Sequence, residues 1–150
     1  MDISSALVAV RGDANEDETV RLAGELLNSS KSTMYILYVI EMERGLPLDA
    51  EVGASTAKGE QVLKHMEEIA KRYKCKTEAH MLQARQAGGA VIQEAVNRKV
   101  DAILIGMPYD GRYGAFSMGD TVPYLLKNAP CRVILCRDAR PLRTANEAVR

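Results

Sequence analysis

Four glycines, Gly106, Gly111, Gly114 and Gly119, punctuate the stretch between the apolar run Ala102-Ile103-Leu104-Ile105 and the pair Asp120-Thr121. Glycine presents its backbone amide without a β-carbon, and amides gathered ahead of a helix N-terminus form a cradle for an anion. The chemistry suggested is phosphate binding. Thr121 adds a hydroxyl. Asp120 heads the next helix, where its N-cap preference and the early proline Pro123 both mark a start. Its carboxylate is expected to cap the first amides itself, placing a negative charge where a phosphate would sit. Two like charges ~4 Å apart at an effective dielectric of ~20 repel by roughly 4 kcal/mol, more than the ~0.3–2 kcal/mol that a helix terminus gives an anion.

Two other stretches can contribute. Arg11-Gly12-Asp13 follows the first apolar run, Ala6 to Val10, and Val39 stands near the end of the second, Met34 to Ile40. Arg11 is expected either to reach a ligand phosphate or to pair with Asp120 across the mouth of the site. A catalytic constellation is harder to assemble. His65 and His80 fall on separate elements, Ser117 has no assignable base, and no P-loop lysine with Ser/Thr is present. The three cysteines, Cys75, Cys131 and Cys136, lack a C-x-x-C spacing, and the last two lie at the two ends of one strand, too far apart to bridge. The expectation from the residues is a binding protein with no catalytic residues, no metal and no required cofactor.

The elements that must position these residues alternate regularly. After the first strand, Asp13 is placed to cap a helix with Glu16 reaching back as in a capping box, and Val20, Ala23, Leu26 and Leu27 give that helix its apolar face. Asn28-Ser29-Ser30 ends it. A long connection, Met42 to Thr56, carries Leu46-Pro47-Leu48 and is able to fold over a cleft. Val62, Met66, Ile69, Ala70 and Tyr73 then form one buried stripe, opposite the pairs Glu60/Lys64, Glu67/Lys71 and Glu68/Arg72. Thr77 to Leu82 alternates, as an edge strand does. Gly88-Gly89 opens a third helix with Val91, Ile92, Ala95 and Val96 facing inward, and a fourth carries Val122, Leu125, Leu126 and Ala129 before Pro130. Val133 to Cys136 is the fifth strand.

The pattern βαβαβαβαβ predicts an α/β fold: an open, parallel five-stranded sheet in the order 3-2-1-4-5, helices on both faces. The loops after the first and fourth strands then meet at the switch point, where such sheets bind ligands. The 150 residues make one domain, 1–137, with a loose arginine-rich tail, 138–150. Twenty acidic and twenty basic residues cancel, which argues against a nucleic-acid partner. The longest apolar run is too short to cross a bilayer and the N-terminus lacks a signal-peptide layout, so a cytoplasmic protein is expected. A phosphate-accepting receiver domain shares the winding but needs acids where Arg11 and Gln83-Ala84-Arg85 stand.

The segments Val100-Asp101-Ala102-Ile103-Leu104-Ile105-Gly106 and Ala129-Pro130-Cys131-Arg132-Val133-Ile134-Leu135-Cys136-Arg137, with the Gly119 helix start, resemble the universal stress proteins. The resemblance implies a Rossmann-like fold and a homodimer paired through the last strands, here Arg132, Val133, Ile134, Leu135 and Cys136. In one branch of that family it implies ATP or AMP at the switch point. That branch carries G-x2-G-x9-G-S/T after the fourth strand. Gly106 and Gly119 match its first and third glycines, with twelve residues between them, but Tyr109 replaces the second glycine and Asp120 the hydroxyl residue. Arg11 stands where the family has an aspartate. The resemblance therefore implies a degenerate nucleotide cleft formed by Arg11, Gly12, Asp13, Val39, Gly106, Tyr109, Arg112, Gly119, Asp120 and Thr121, in a module that regulates by binding. The alternative is an ATP-binding member with slow turnover, in which Arg11 and Arg112 meet the phosphates. Leu46-Pro47-Leu48 and Tyr124 to Cys131 are also similar to universal stress domains appended to amino-acid permeases, which implies a membrane transporter as a partner.

Overall fold

The computed structural model describes residues 2–13, 16–107 and 120–137. Strands and helices alternate along it: β1 (Ser5–Val10), α1 (Glu16–Leu26), β2 (Thr33–Glu41), α2 (Gly53–Ala70), β3 (Lys76–Ala84), α3 (Ala87–Arg98), β4 (Ala102–Gly106), α4 (Thr121–Asn128) and β5 (Arg132–Cys136). The five strands form one sheet in the order β3-β2-β1-β4-β5, with all neighbours parallel. The expected winding is the observed one. β1 lies at the centre because its residues are apolar on both faces: Ala6 to Val10 are all buried. Ala6, Val8, Val10, Met34, Ile36 and Leu104 pack beneath α1 and α2. Leu7, Ala9, Leu37, Ile103 and Ile105 point the other way, with Val91 of α3 and Leu125 of α4 among their partners.

The helices bury narrower stripes than periodicity suggests. Val20, Ala23 and Leu27 are buried, but Leu26 is exposed, as are Val96 and Leu126. Each of these three sits at the edge of its stripe, and only the residues pointing straight at the sheet are covered. α2 starts at Gly53, earlier than the loop composition suggests, and its buried face runs through Gly59, Leu63, Met66, Ile69 and Ala70, leaving Val62 and Tyr73 at its margin. On its outer face Lys71 pairs with Glu68 at 3.0 Å, a spacing of three rather than the expected four. β3 is one of the two edge strands and is largely half-buried.

Asp101, in the turn before β4, closes the end of the sheet opposite the switch point. Its Oδ2 accepts the Ser4 amide at 2.8 Å, the Ser4 hydroxyl at 3.0 Å and the Ser5 amide at 3.1 Å. These donors favour the carboxylate and lower its pKa, the Ser4 amide most. Among the described residues no helix is long and apolar enough to cross a membrane.

Candidate functional site

Strand order reverses between β1 and β4, and beyond their carboxyl ends lies a cavity of about 550 Å³. Four charged side chains among the described residues line it: Arg11 after β1, Glu41 at the end of β2, Arg85 after β3, and Asp120 before α4. The start of α3, Gln86 to Gly88, forms one wall, while Thr121 and Tyr124 form another. A smaller recess of about 40 Å³, sharing Arg11, Glu41 and Thr121 with the cavity, continues down to Ala9, Leu37, Val39 and Ile105. Its apolar floor follows from the period of two along the strands, which turns Leu37, Val39 and Glu41 to the same face.

Of the residues expected here, Arg11, Val39, Asp120 and Thr121 line this cavity or its recess. Gly12 and Asp13 instead border a separate hollow of about 300 Å³ between α1 and α2, with Asp17 and His65. Gly106 ends β4 but faces α1, where an added β-carbon would stand 2.7 Å from Thr19 Oγ1. The need for glycine there is a matter of helix packing. Tyr109, Arg112 and Gly119 lie outside the described residues, as do Gly111 and Gly114.

Two expected contacts are not made. Asp120 has φ −92° and ψ −30°, helical values, and its side chain caps nothing. A capping aspartate takes an extended backbone from which it reaches the second or third helical amide. Here the third helical residue is Pro123, which has no amide to offer. The Asp120 carboxylate therefore remains in the cavity wall. Arg11 does not pair with Asp120 either: its Nε lies 3.1 Å from Asp13 Oδ2, close enough for an ion pair although the N–H makes no hydrogen bond.

The turn after β1 is held from within. Glu16, only 1% exposed, accepts the amides of Arg11 at 2.9 Å, Gly12 at 2.7 Å and Asp13 at 3.0 Å. The reach expected of a capping box is thus extended to three amides. Burial raises the Glu16 pKa; the three donors oppose that rise without cancelling it. Gly12 sits at φ +85°, a conformation that suits glycine, with Val62 so close that a β-carbon would lie 2.9 Å from it.

Sequence patterns did not single out Glu41, Arg85, the start of α3 or Tyr124 as site residues. The readable signal was Gly88-Gly89: a β-carbon on Gly88 would meet the Tyr124 ring at 2.7 Å, so that glycine lets α4 lean over the cleft. Away from it, His65 Nε2 lies 3.0 Å from Asp17 Oδ2, and His80 contacts Glu78 at 3.4 Å and Arg98 at 3.2 Å. Cys75 and Cys131 have thiol pKa values raised chiefly by burial. Among the described residues no group of three or more His, Cys, Asp or Glu is placed to hold a metal ion.

The family model of the universal stress proteins matches residues 3–137. This chain belongs to the universal stress protein family. No curated protein sequence matches it. Solved structures of the family share its fold at low identity. A universal stress protein from Archaeoglobus fulgidus is 14% identical, with 90% of this chain and 98% of that one covered and a TM-score of 0.72. The Archaeoglobus fulgidus protein in complex with dAMP is 17% identical over 90% and 98%, TM-score 0.68. A family protein from Arabidopsis thaliana with AMP bound is 15% identical over 96% and 94%, TM-score 0.62.

Proposed function

We propose that this universal stress protein is a regulatory binding module that takes an adenine nucleotide in the switch-point cleft through an altered phosphate subsite. One observation carries the reading. The cleft is open, at about 550 Å³ within the ~300–1,000 Å³ of small-molecule sites, yet Glu41 and Asp120 line it together with Arg11 and Arg85. Among the described residues two cations and two anions balance, so a monophosphate is accommodated more readily than a triphosphate. The complexes of family proteins with dAMP, AMP and cAMP support the ligand class. The apolar floor at Leu37, Val39 and Ile105 offers a phosphate no polar partner, which leaves the charged mouth of the cleft for it.

Calorimetric titration tests this. AMP binds the wild-type protein more tightly than ATP, and Asp120→Ser with Tyr109→Gly strengthens both, ATP the more. Failure of either nucleotide to bind wild type or variant would overturn the proposal.

A second reading, an ATP-binding member with slow hydrolysis, draws on the missing cap: the Asp120 carboxylate does not take the first amides of α4. In it Arg11 and Arg112 meet the phosphates. ATP bound more tightly than AMP, with ADP released over time, would favour it.

The regulatory role requires partners. β5 is the last strand of the sheet and carries half-buried Val133 and Leu135, which supports pairing of two copies there. A transporter or another protein is the proposed target. Sedimentation as a monomer at micromolar concentration would count against the dimer.

A further inference from the structure

Arg85 differs from Arg11, the other cation among the described residues of the cleft. Arg11 has Asp13 beside it, whereas Arg85, although it lines the same cavity as Glu41 and Asp120, forms no ion pair among the described residues. Among the described residues its guanidinium makes one hydrogen bond, from Nη1 to the backbone carbonyl of Glu43. That carbonyl also accepts the Leu46 amide at 3.0 Å, closing the turn that begins the connection between β2 and α2. The far half of this connection is held separately, by Gln83 Nε2 donating to the carbonyls of Leu48 at 2.7 Å and Ala50 at 2.9 Å. Leu46 and Leu48, between the two clasps, are exposed.

We propose that Arg85 is the anion-reading residue of the cleft and that, through the Glu43 carbonyl, it couples occupancy of the cleft to the Glu43–Leu46 turn. The inference rests on the binding function proposed above and names the side chain that meets the ligand's phosphate. A guanidinium meets a phosphate as an opposite charge, often through two parallel hydrogen bonds, whereas its bond to the Glu43 carbonyl is single and to a neutral acceptor. An anion in the cleft therefore draws Arg85 from Glu43. The turn keeps only its own Leu46 bond, while Gln83 still fixes the chain at Leu48. Ligand state is thus presented on an exposed leucine surface, away from the cleft.

Hydrogen exchange of the segment 42–48, read by mass spectrometry together with AMP titration, tests both halves. Without ligand, Arg85→Ala speeds exchange in this segment several-fold, and Arg85→Lys, which retains the charge but not the fork, has a smaller effect. Saturating AMP speeds exchange there in the wild type and leaves Arg85→Ala unchanged. AMP affinity falls about ten- to a hundredfold in Arg85→Ala, the range for losing a hydrogen bond to a charged group. Equal AMP affinity in wild type and Arg85→Ala would overturn the anion-reading role while leaving the nucleotide function standing. Unchanged exchange in ligand-free Arg85→Ala would overturn the coupling. No AMP binding by the wild type would defeat the nucleotide function and this inference together.

Discussion

Gly106, the last residue of β4, lies so close beneath Thr19 of α1 that a β-carbon on it would stand 2.7 Å from the threonine hydroxyl. Thr19 is buried, and its Oγ1 makes no hydrogen bond, so that hydroxyl is tolerated rather than used. Gly106→Ala is expected to destabilise the fold by about 1–3 kcal/mol through overpacking. Adding Thr19→Ala should recover much of that loss. Urea unfolding of the two single variants and the double gives the coupling, and strictly additive costs would show that the two residues do not compete for the same space.

Glu16 carries the turn on which Arg11 is mounted. Glu16→Ala strands the amides of Arg11, Gly12 and Asp13 and should cost about 1–3 kcal/mol, while Glu16→Gln keeps an acceptor and should cost less. The pH dependence has a definite sign. Burial lifts the folded pKa above the ordinary 4.5, so the folded state holds the proton more tightly than the unfolded chain. Its contribution to stability is complete below 4.5 and disappears as pH rises through the folded value. Glu16→Gln should remove that slope from the unfolding free energy measured across mildly acidic pH.

Asp101 should behave oppositely. The Ser4 and Ser5 donors lower its pKa below the ordinary 3.8, so its contribution is present above 3.8 and disappears as pH falls through the folded value. Solvent screening keeps this near about 1 kcal/mol, the size of a typical net hydrogen bond. Asp101→Asn should flatten the acid limb of the stability profile without altering nucleotide affinity, since the turn lies at the opposite end of the sheet. An unchanged acid limb would show that the serine donors do not favour the ionised carboxylate.

The winding of the sheet was legible because central strands must be apolar on both faces, and Ala6–Val10 and Ala102–Ile105 are unbroken runs. The places of Val39 and Thr121 in the cleft lining were legible because β2 ends and α4 begins at the switch point. Arg85 was not, since a lone arginine after an edge strand has no periodicity, and only the pairing of β3 beside β2 carries it to the cleft. Asp120 shows the opposite failure. Its residue type favours an N-cap, but its backbone is helical and the third helical residue, one of the two whose amides it would seek, is a proline. Gly106 matched a phosphate-loop spacing, and the side chain above it, Thr19, became visible only once α1 was laid on β4.

Gly88 and Tyr124 govern the width of the cleft. A β-carbon on Gly88 would lie 2.7 Å from Cδ1 of the tyrosine ring and 3.3 Å from its Cβ. The second distance matters because Cβ is fixed to the backbone of α4, so a ring flip alone does not clear the clash. Gly88→Ala should therefore push α4 away from α3, shifting the wall formed by Tyr124 and Thr121 together. The expected result is a loss of about 1–3 kcal/mol in stability, accompanied by a change in AMP affinity measured at a temperature where the variant remains folded. Tyr124→Phe, which keeps the ring, should leave stability near the wild-type value, and Tyr124→Ala in the Gly88→Ala background should restore only the part of the loss due to the ring, since alanine keeps the Cβ. If Gly88→Ala lost stability but bound AMP as the wild type does, the gap between α3 and α4 would not be part of the ligand site.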